Sequence, residues 1–206
     1  MQRLPVADRW EVIEALSQHA EDANDHNLPL MIWYAAEPLP TKDFNRALAL
    51  AENSKLPKLL EFTVRRTAAL NTPEAFAAIT KTLDRMNDVS RRLDILSGLS
   101  AALKGQRKVA MPKGWENVEA NLSASLNAEV RAQVQALSLT FGSMTALASL
   151  KKTLVDTSAD ANARRTALDS LLQTKAPELP PMLQGLLSDA NLRGAALRAL
   201  AAFDDP

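Results

Sequence analysis

Short amphipathic helices follow one another in tandem along almost the whole chain, and the second helix of each pair opens in the same way. Arg92, Ile95 and Gly98-Leu99 form one instance; Arg131, Val134 and Ala136-Leu137 a second; Arg164, Ala167 and Ser170-Leu171 a third; Arg193, Ala196 and Ala199-Leu200 a fourth. Pro29 and Pro57 stand at the Arg position in two earlier units, so six anchors are separated by 28, 35, 39, 33 and 29 residues. Asp189 to Leu200 aligns without gaps on Asp25 to Ala36, sharing the Asp, the Asn-Leu and the late Ala. A helix pair that recurs at roughly 30–45 residues cannot bury both its faces alone and has to lean on its neighbours. The expected fold is therefore all-α: an α-solenoid of about six HEAT-like helix pairs in a right-handed superhelix, one repeat domain over residues 1–206.

The breaks between helices are chemically explicit. Thr72-Pro73 sets an N-cap before a proline at the first helical position, and Asn27, Asp88, Asn127 and Asp160 are further caps. Pro38 and Pro40 end one helix, Pro57 sits in the opening turn of another, and Ala176-Pro177 with Pro180-Pro181 separates two more. Gly142-Ser143 divides two helices. The longest interruption, Lys104 to Gly114, is the candidate exposed loop or hinge, and a boundary there is the alternative to one continuous array. Because no polar capping repeat follows Leu197 to Phe203, the chain is expected to be a segment of a longer protein.

Charge and residue content remove several function classes. Lys plus Arg equals Asp plus Glu at 24 each, so no global field draws nucleic acid or an anionic membrane to the chain. With no cysteine there is no disulfide, thiolate metal site, cysteine nucleophile or covalent c-type haem attachment on this chain. The uncharged run from Ala132 to Leu150 carries seven Gln, Ser and Thr side chains and a Gly break, which does not suit a membrane span.

Candidate sites are few. His19, Glu21, Asp22, Asp25 and His26 form the only dense group of potential ligands, but their spacing fits no established metal motif and reads as an exposed turn with Asp25 or Asn27 as the helix cap. The segment Leu30 to Ala36 is apolar and aromatic with almost no polar face, and Trp10, Trp33, Tyr34 and Trp115 are the aromatic candidates for an interaction surface. The basic doublets Arg65-Arg66, Arg91-Arg92, Lys151-Lys152 and Arg164-Arg165 sit beside Glu61, Asp94, Asp160 and Asp169, as solvated faces or salt bridges do. Arginine opposes the dipole at a helix start, so Arg92, Arg131, Arg164 and Arg193 are expected to reach acids in an adjacent turn, with Asp160 and Asp189 as candidates for this inter-repeat ladder. No nucleophile, acid/base pair or Gly-rich phosphate loop stands out, and no catalytic, cofactor-binding or metal residue is assigned.

The stretch His19 to Leu39, with Lys108 to Trp115 and Leu192 to Pro206, resembles the helical region of the planctomycete-type (PVC-type) membrane-bound dehydrogenase-like, haem-binding proteins. In that family a sugar-dehydrogenase-like β-propeller precedes HEAT-like repeats, and a cytochrome c domain with Cys-x-x-Cys-His follows them. The resemblance implies a non-catalytic spacer and scaffold, exported to the periplasm or another extracytoplasmic space, whose partners are the flanking domains or another protein. It places the c-type haem elsewhere, transfers no catalytic or haem-ligating residue to this sequence and leaves oligomeric state open. The rival reading is an enzyme resembling the HEAT-like alkylpurine DNA glycosylases, which the balanced charge disfavours. Haem or bilin contact through His19 or His26 is the weaker third.

Overall fold

The computed structural model describes residues 3–106, 109–174, 178–201 and 203. Among them are twelve α-helices and no strand, so the chain is all-α as its periodicity predicts. In order they are α1 (Trp10–Leu16), α2 (Leu28–Ala36), α3 (Phe44–Asn53), α4 (Leu59–Ala68), α5 (Pro73–Arg85), α6 (Val89–Ala102), α7 (Trp115–Leu122), α8 (Ala128–Thr140), α9 (Met144–Val155), α10 (Ala161–Thr174), α11 (Leu179–Gly185) and α12 (Arg193–Leu200). Short 3-10 turns precede α1 (Val6–Arg9) and α2 (Ala20–Asn24) and follow α2 (Leu39–Thr41) and α11 (Leu186–Ser188).

Local chemistry sets the helix starts. Thr72 Oγ1 accepts from the Ala75 amide at 3.2 Å, Asp88 from Arg91 at 2.8 Å, Asn127 from Val130 at 3.0 Å and Asp160 from Ala163 at 3.0 Å. Each satisfies an N–H that the helix cannot pair internally. At α2 the cap is Asp25, which accepts from both Asn27 and Leu28 at 2.8 Å; Asn27 supplies no side-chain bond. Gly142 takes φ +74°, which ends α8 and lets Ser143 cap α9 through the Ala146 amide. Pro180 and Pro181 lie inside the first turn of α11 and do not separate helices, since a proline costs nothing where the N–H has no partner. Ala176, Pro177 and the terminal Asp204-Asp205-Pro206 lie outside the described residues.

By contacts the chain falls into two compact units, residues 1–106 with 111–137 and residues 107–110 with 138–206. The division passes through α8 and, because 107–110 are set apart from the residues on either side, also through the interruption at 104–114. Within the second unit the Val109 amide donates to the Thr140 carbonyl at 3.0 Å, which ties part of that interruption to the end of α8. Arg107 and Lys108 of the expected hinge lie outside the described residues.

In the first unit alternate helices pack: α2 meets α4, α4 meets α6, α3 meets α5 and α5 meets α7. The α4–α6 contact is the most extensive, and Gly98 explains it. A Cβ there would stand 2.5 Å from the Glu61 carbonyl oxygen and 2.9 Å from Val64 Cβ, so only hydrogen lets the two backbones approach so closely. Gly98→Ala is expected to lower the unfolding free energy by about 2 kcal/mol despite alanine's helix propensity, because the obstructing atom is backbone and cannot swing away. Urea unfolding checks this.

The turns of this unit are also stitched. The Lys55 amide donates to the Ser17 carbonyl at 2.8 Å, the Ser54 hydroxyl lies 3.4 Å from the same oxygen, and the Arg91 guanidinium donates to the Ser54 carbonyl. Both the Ser17–Ser54 and the Ser54–Arg91 links span 37 residues. In the second unit Leu154, Leu168, Leu171, Leu179, Leu183 and Leu192 form a fully buried core joining α9 and α10 to α11 and α12.

Candidate interaction surface and cleft

The four aromatic candidates separate by burial. Trp115 opens α7 and is fully buried, and Trp10 is buried with the Arg46 guanidinium 4.6 Å above its ring. Both are core residues, which corrects their assignment to a contact surface: each starts a helix and turns its indole into the interior. Trp33 is half-buried and meets Phe62 at 5.5 Å between ring centroids. Tyr34 is 52% exposed. Beside it on α2, Leu30 and Met31 are 42% and 60% exposed, whereas Ile32, Ala35 and Ala36 are buried. Positions 30, 31 and 34 fall on one side of a helix, so α2 presents an apolar strip to solvent opposite the side it packs.

A cleft of about 400 Å³ opens in the first unit where three successive turn regions meet. Asn24 comes from the turn before α2, Lys55 to Lys58 from the loop before α4, and Ser90, Arg91 and Asp94 from the start of α6. Lys58 holds φ +67° and its ammonium pairs with Glu61 at 2.8 Å. Glu61 holds that ammonium above the ordinary lysine range. Asp94 is half-buried, and among the described residues no hydrogen bond or ion pair reaches its carboxylate. Burial pushes its pKa up, Arg91 and Lys58 pull it down, and Glu61 and Asp88 push it further up. Sequence reasoning noted Asp94 only as a neighbour of a basic doublet. The cleft draws on three separated segments, and no linear pattern marks it.

The helix-start arginines turn to main-chain carbonyls. Arg92 Nε donates to Met86 O at 2.6 Å, Arg131 to Ser125 O at 2.6 Å, Arg193 Nε to Leu187 O at 2.8 Å and Arg164 Nε to Leu154 O at 3.0 Å. Every acceptor lies at or just beyond the end of the preceding helix, where carbonyls lack intrahelical partners and the dipole is negative. The short turn brings that end nearer than an acid of another unit, so Arg92, Arg131 and Arg193 bind within their own pair. Arg164 alone of the four joins a candidate acid, meeting Asp189 at 2.7 Å with its side chain 4% exposed. Asp160 is occupied as the cap of α10.

Four further basic side chains have local acceptors. Arg66 pairs with Glu37, Arg85 with Glu52, Lys151 with Glu178 at 3.3 Å, and Arg165 donates to Asn191 O at 3.1 Å. In the exposed turn before α2, His19 Nδ1 lies 2.7 Å from Glu21, whose carboxylate raises the imidazole pKa while its own falls. Among the described residues no three His, Cys, Asp or Glu side chains gather as a metal site would need, and no helix is long and apolar enough to cross a membrane.

No family model, curated protein or solved structure matches this chain.

Proposed function

We propose that this chain is a non-catalytic scaffold, an α-solenoid of about six HEAT-like helix pairs that holds neighbouring domains or another protein on its surface. The packing of alternate helices in the first unit supports a layered array, and five of the six anchors lie within the opening residues of α2, α6, α8, α10 and α12. Pro57 lies two residues before α4. The observation that carries the functional reading is the apolar strip of α2, where Leu30, Met31 and Tyr34 leave a tyrosine and two large aliphatic groups in water. Exposure of that kind costs solubility unless a partner covers it. The resemblance to the dehydrogenase-like family points to a propeller and a cytochrome c domain as the partners and to an extracytoplasmic location, while the right-handed superhelix belongs to the repeat reading itself.

The DNA glycosylase reading draws less support, because the doublets that would track phosphates already hold Glu37, Ser54, Met86, Glu178, Asp189 and Asn191 through at least one member each.

The double variant Met31→Ser, Tyr34→Ser is expected to weaken association in trans with the two flanking domains at least tenfold, with an unchanged melting temperature. Isothermal titration against each purified domain measures it. Association at full strength sinks the assignment of this strip.

A further inference from the structure

The cleft before α4 and α6 shares no residue with the apolar strip of α2, and its chemistry selects a different kind of ligand. Three cations stand around it: Lys55, Lys58 and Arg91. Three acids balance them, Asp94 in the cleft wall, Glu61 on the Lys58 ammonium, and Asp88 close enough to bear on Asp94. A bare anion would come to rest against Asp94, and a bare cation would meet the three positive groups. What suits such a site is a ligand without net charge that carries hydrogen-bond donors and acceptors side by side.

The polar groups are also unequally satisfied. Lys58 is spent on Glu61, and one Arg91 nitrogen on the Ser54 carbonyl. The Asp94 carboxylate, half-buried, lacks a donor among the described residues, and a carboxylate in that position gains from any N–H brought to it. Leu56 and Pro57 give the cleft an apolar flank. Its volume of about 400 Å³ admits a few residues of extended chain.

We propose that this cleft docks the main chain of an extended peptide segment from a partner protein, its N–H groups donating to Asp94 and its carbonyl oxygens accepting from Lys55 and Arg91. Side chains of the segment contribute little, so the site accepts varied sequences and adds a second point of attachment to a scaffold whose main contact is elsewhere.

The test is an amide-resolved NMR titration of the whole chain with a blocked glycine–serine hexapeptide at millimolar concentration. Saturable shifts are expected at Asn24, Lys55, Lys58, Ser90, Arg91 and Asp94. Asp94→Ala should weaken binding about tenfold or more, as loss of a charged acceptor does, while its far-ultraviolet circular dichroism and melting temperature stay those of the parent. Asp94→Asn, which keeps one acceptor oxygen, should bind between the two. Acetate and methylammonium, tested alone, separate the other sources of the same contacts: saturation of the cleft by either ion at the peptide's concentration overturns the proposal in favour of a simple ion site. Absence of saturable shifts with the hexapeptide, or shifts that persist unchanged in Asp94→Ala, overturns it as well. Neither result bears on the α2 strip, whose association assay stands by itself.

Discussion

Replacing Trp115 with alanine is expected to destabilise the protein by about 4 kcal/mol, enough to threaten the fold of its first unit. The indole is fully buried at the first position of α7, which packs on α5. Truncation there loses the transfer free energy of a large aromatic and leaves a cavity that a close-packed interior fills only in part. Trp115→Phe retains most of the volume and should lose much less. Were Trp115 a partner's anchor held in water, as its residue type alone suggests, Trp115→Ala would unfold at the parent's urea midpoint; denaturant unfolding followed by far-ultraviolet circular dichroism decides between them.

The second large effect is expected at Arg164. Its guanidinium, buried at the start of α10, donates to Leu154 O and pairs with Asp189, joining α9, α10 and the turn before α12. Arg164→Ala removes the long aliphatic stem from a buried site, orphans a carbonyl and strips Asp189 of its counter-ion, a loss of about 3 kcal/mol. Lysine should restore only part of it, since a single ammonium cannot match a fork that serves two acceptors.

The pair also has a pH signature. Arg164 beside it, with the Asn191 amide, holds the Asp189 pKa below the usual carboxylate range. A carboxylate with a depressed folded pKa stabilises above its unfolded value, about 3.9, and that contribution disappears as pH falls through the folded one. Asp189→Asn should therefore be less stable than the parent at neutral pH, with the difference shrinking below about pH 4. A difference that stays constant across that range would mean the ion pair contributes nothing. Melting temperatures of both proteins across the acid range measure it.

Much of this architecture could be read from neighbouring residues because the forces that set it are local. Thr72, Asp88, Asn127 and Asp160 cap the helices predicted for them, since a cap needs only an oxygen three residues before an N–H. The position three after each arginine, occupied by Ile95, Val134, Ala167 and Ala196, is fully buried, as the helical period requires. The small residue in the frame is decisive at Gly98, where α4 comes closest.

What could not be read depends on distance in space. Trp10 and Trp115 look like Tyr34 in sequence, and only the packing of neighbouring helices distinguishes a core aromatic from an exposed one. The arginines found carbonyls because a helix end offers several unpaired oxygens without any side chain to announce them. Asp94 lies near the start of α6 with no motif about it, and its environment comes from turns more than thirty residues apart. At α2 the sequence leaves Asp25 and Asn27, two residues apart, both open as the cap, and Asp25 takes it by accepting from the Asn27 and Leu28 amides.

The stitch along the first unit's turns has an evolutionary corollary. The Ser17 and Ser54 oxygens that receive Lys55 and Arg91 belong to the polypeptide backbone, which every amino acid supplies. Genetic drift can change those two acceptor residues without erasing the oxygens, whereas a replacement of Arg91 deletes a donor outright. The Lys55 donor is a backbone amide too, so of the two links only the one through Arg91 depends on which side chain the gene encodes.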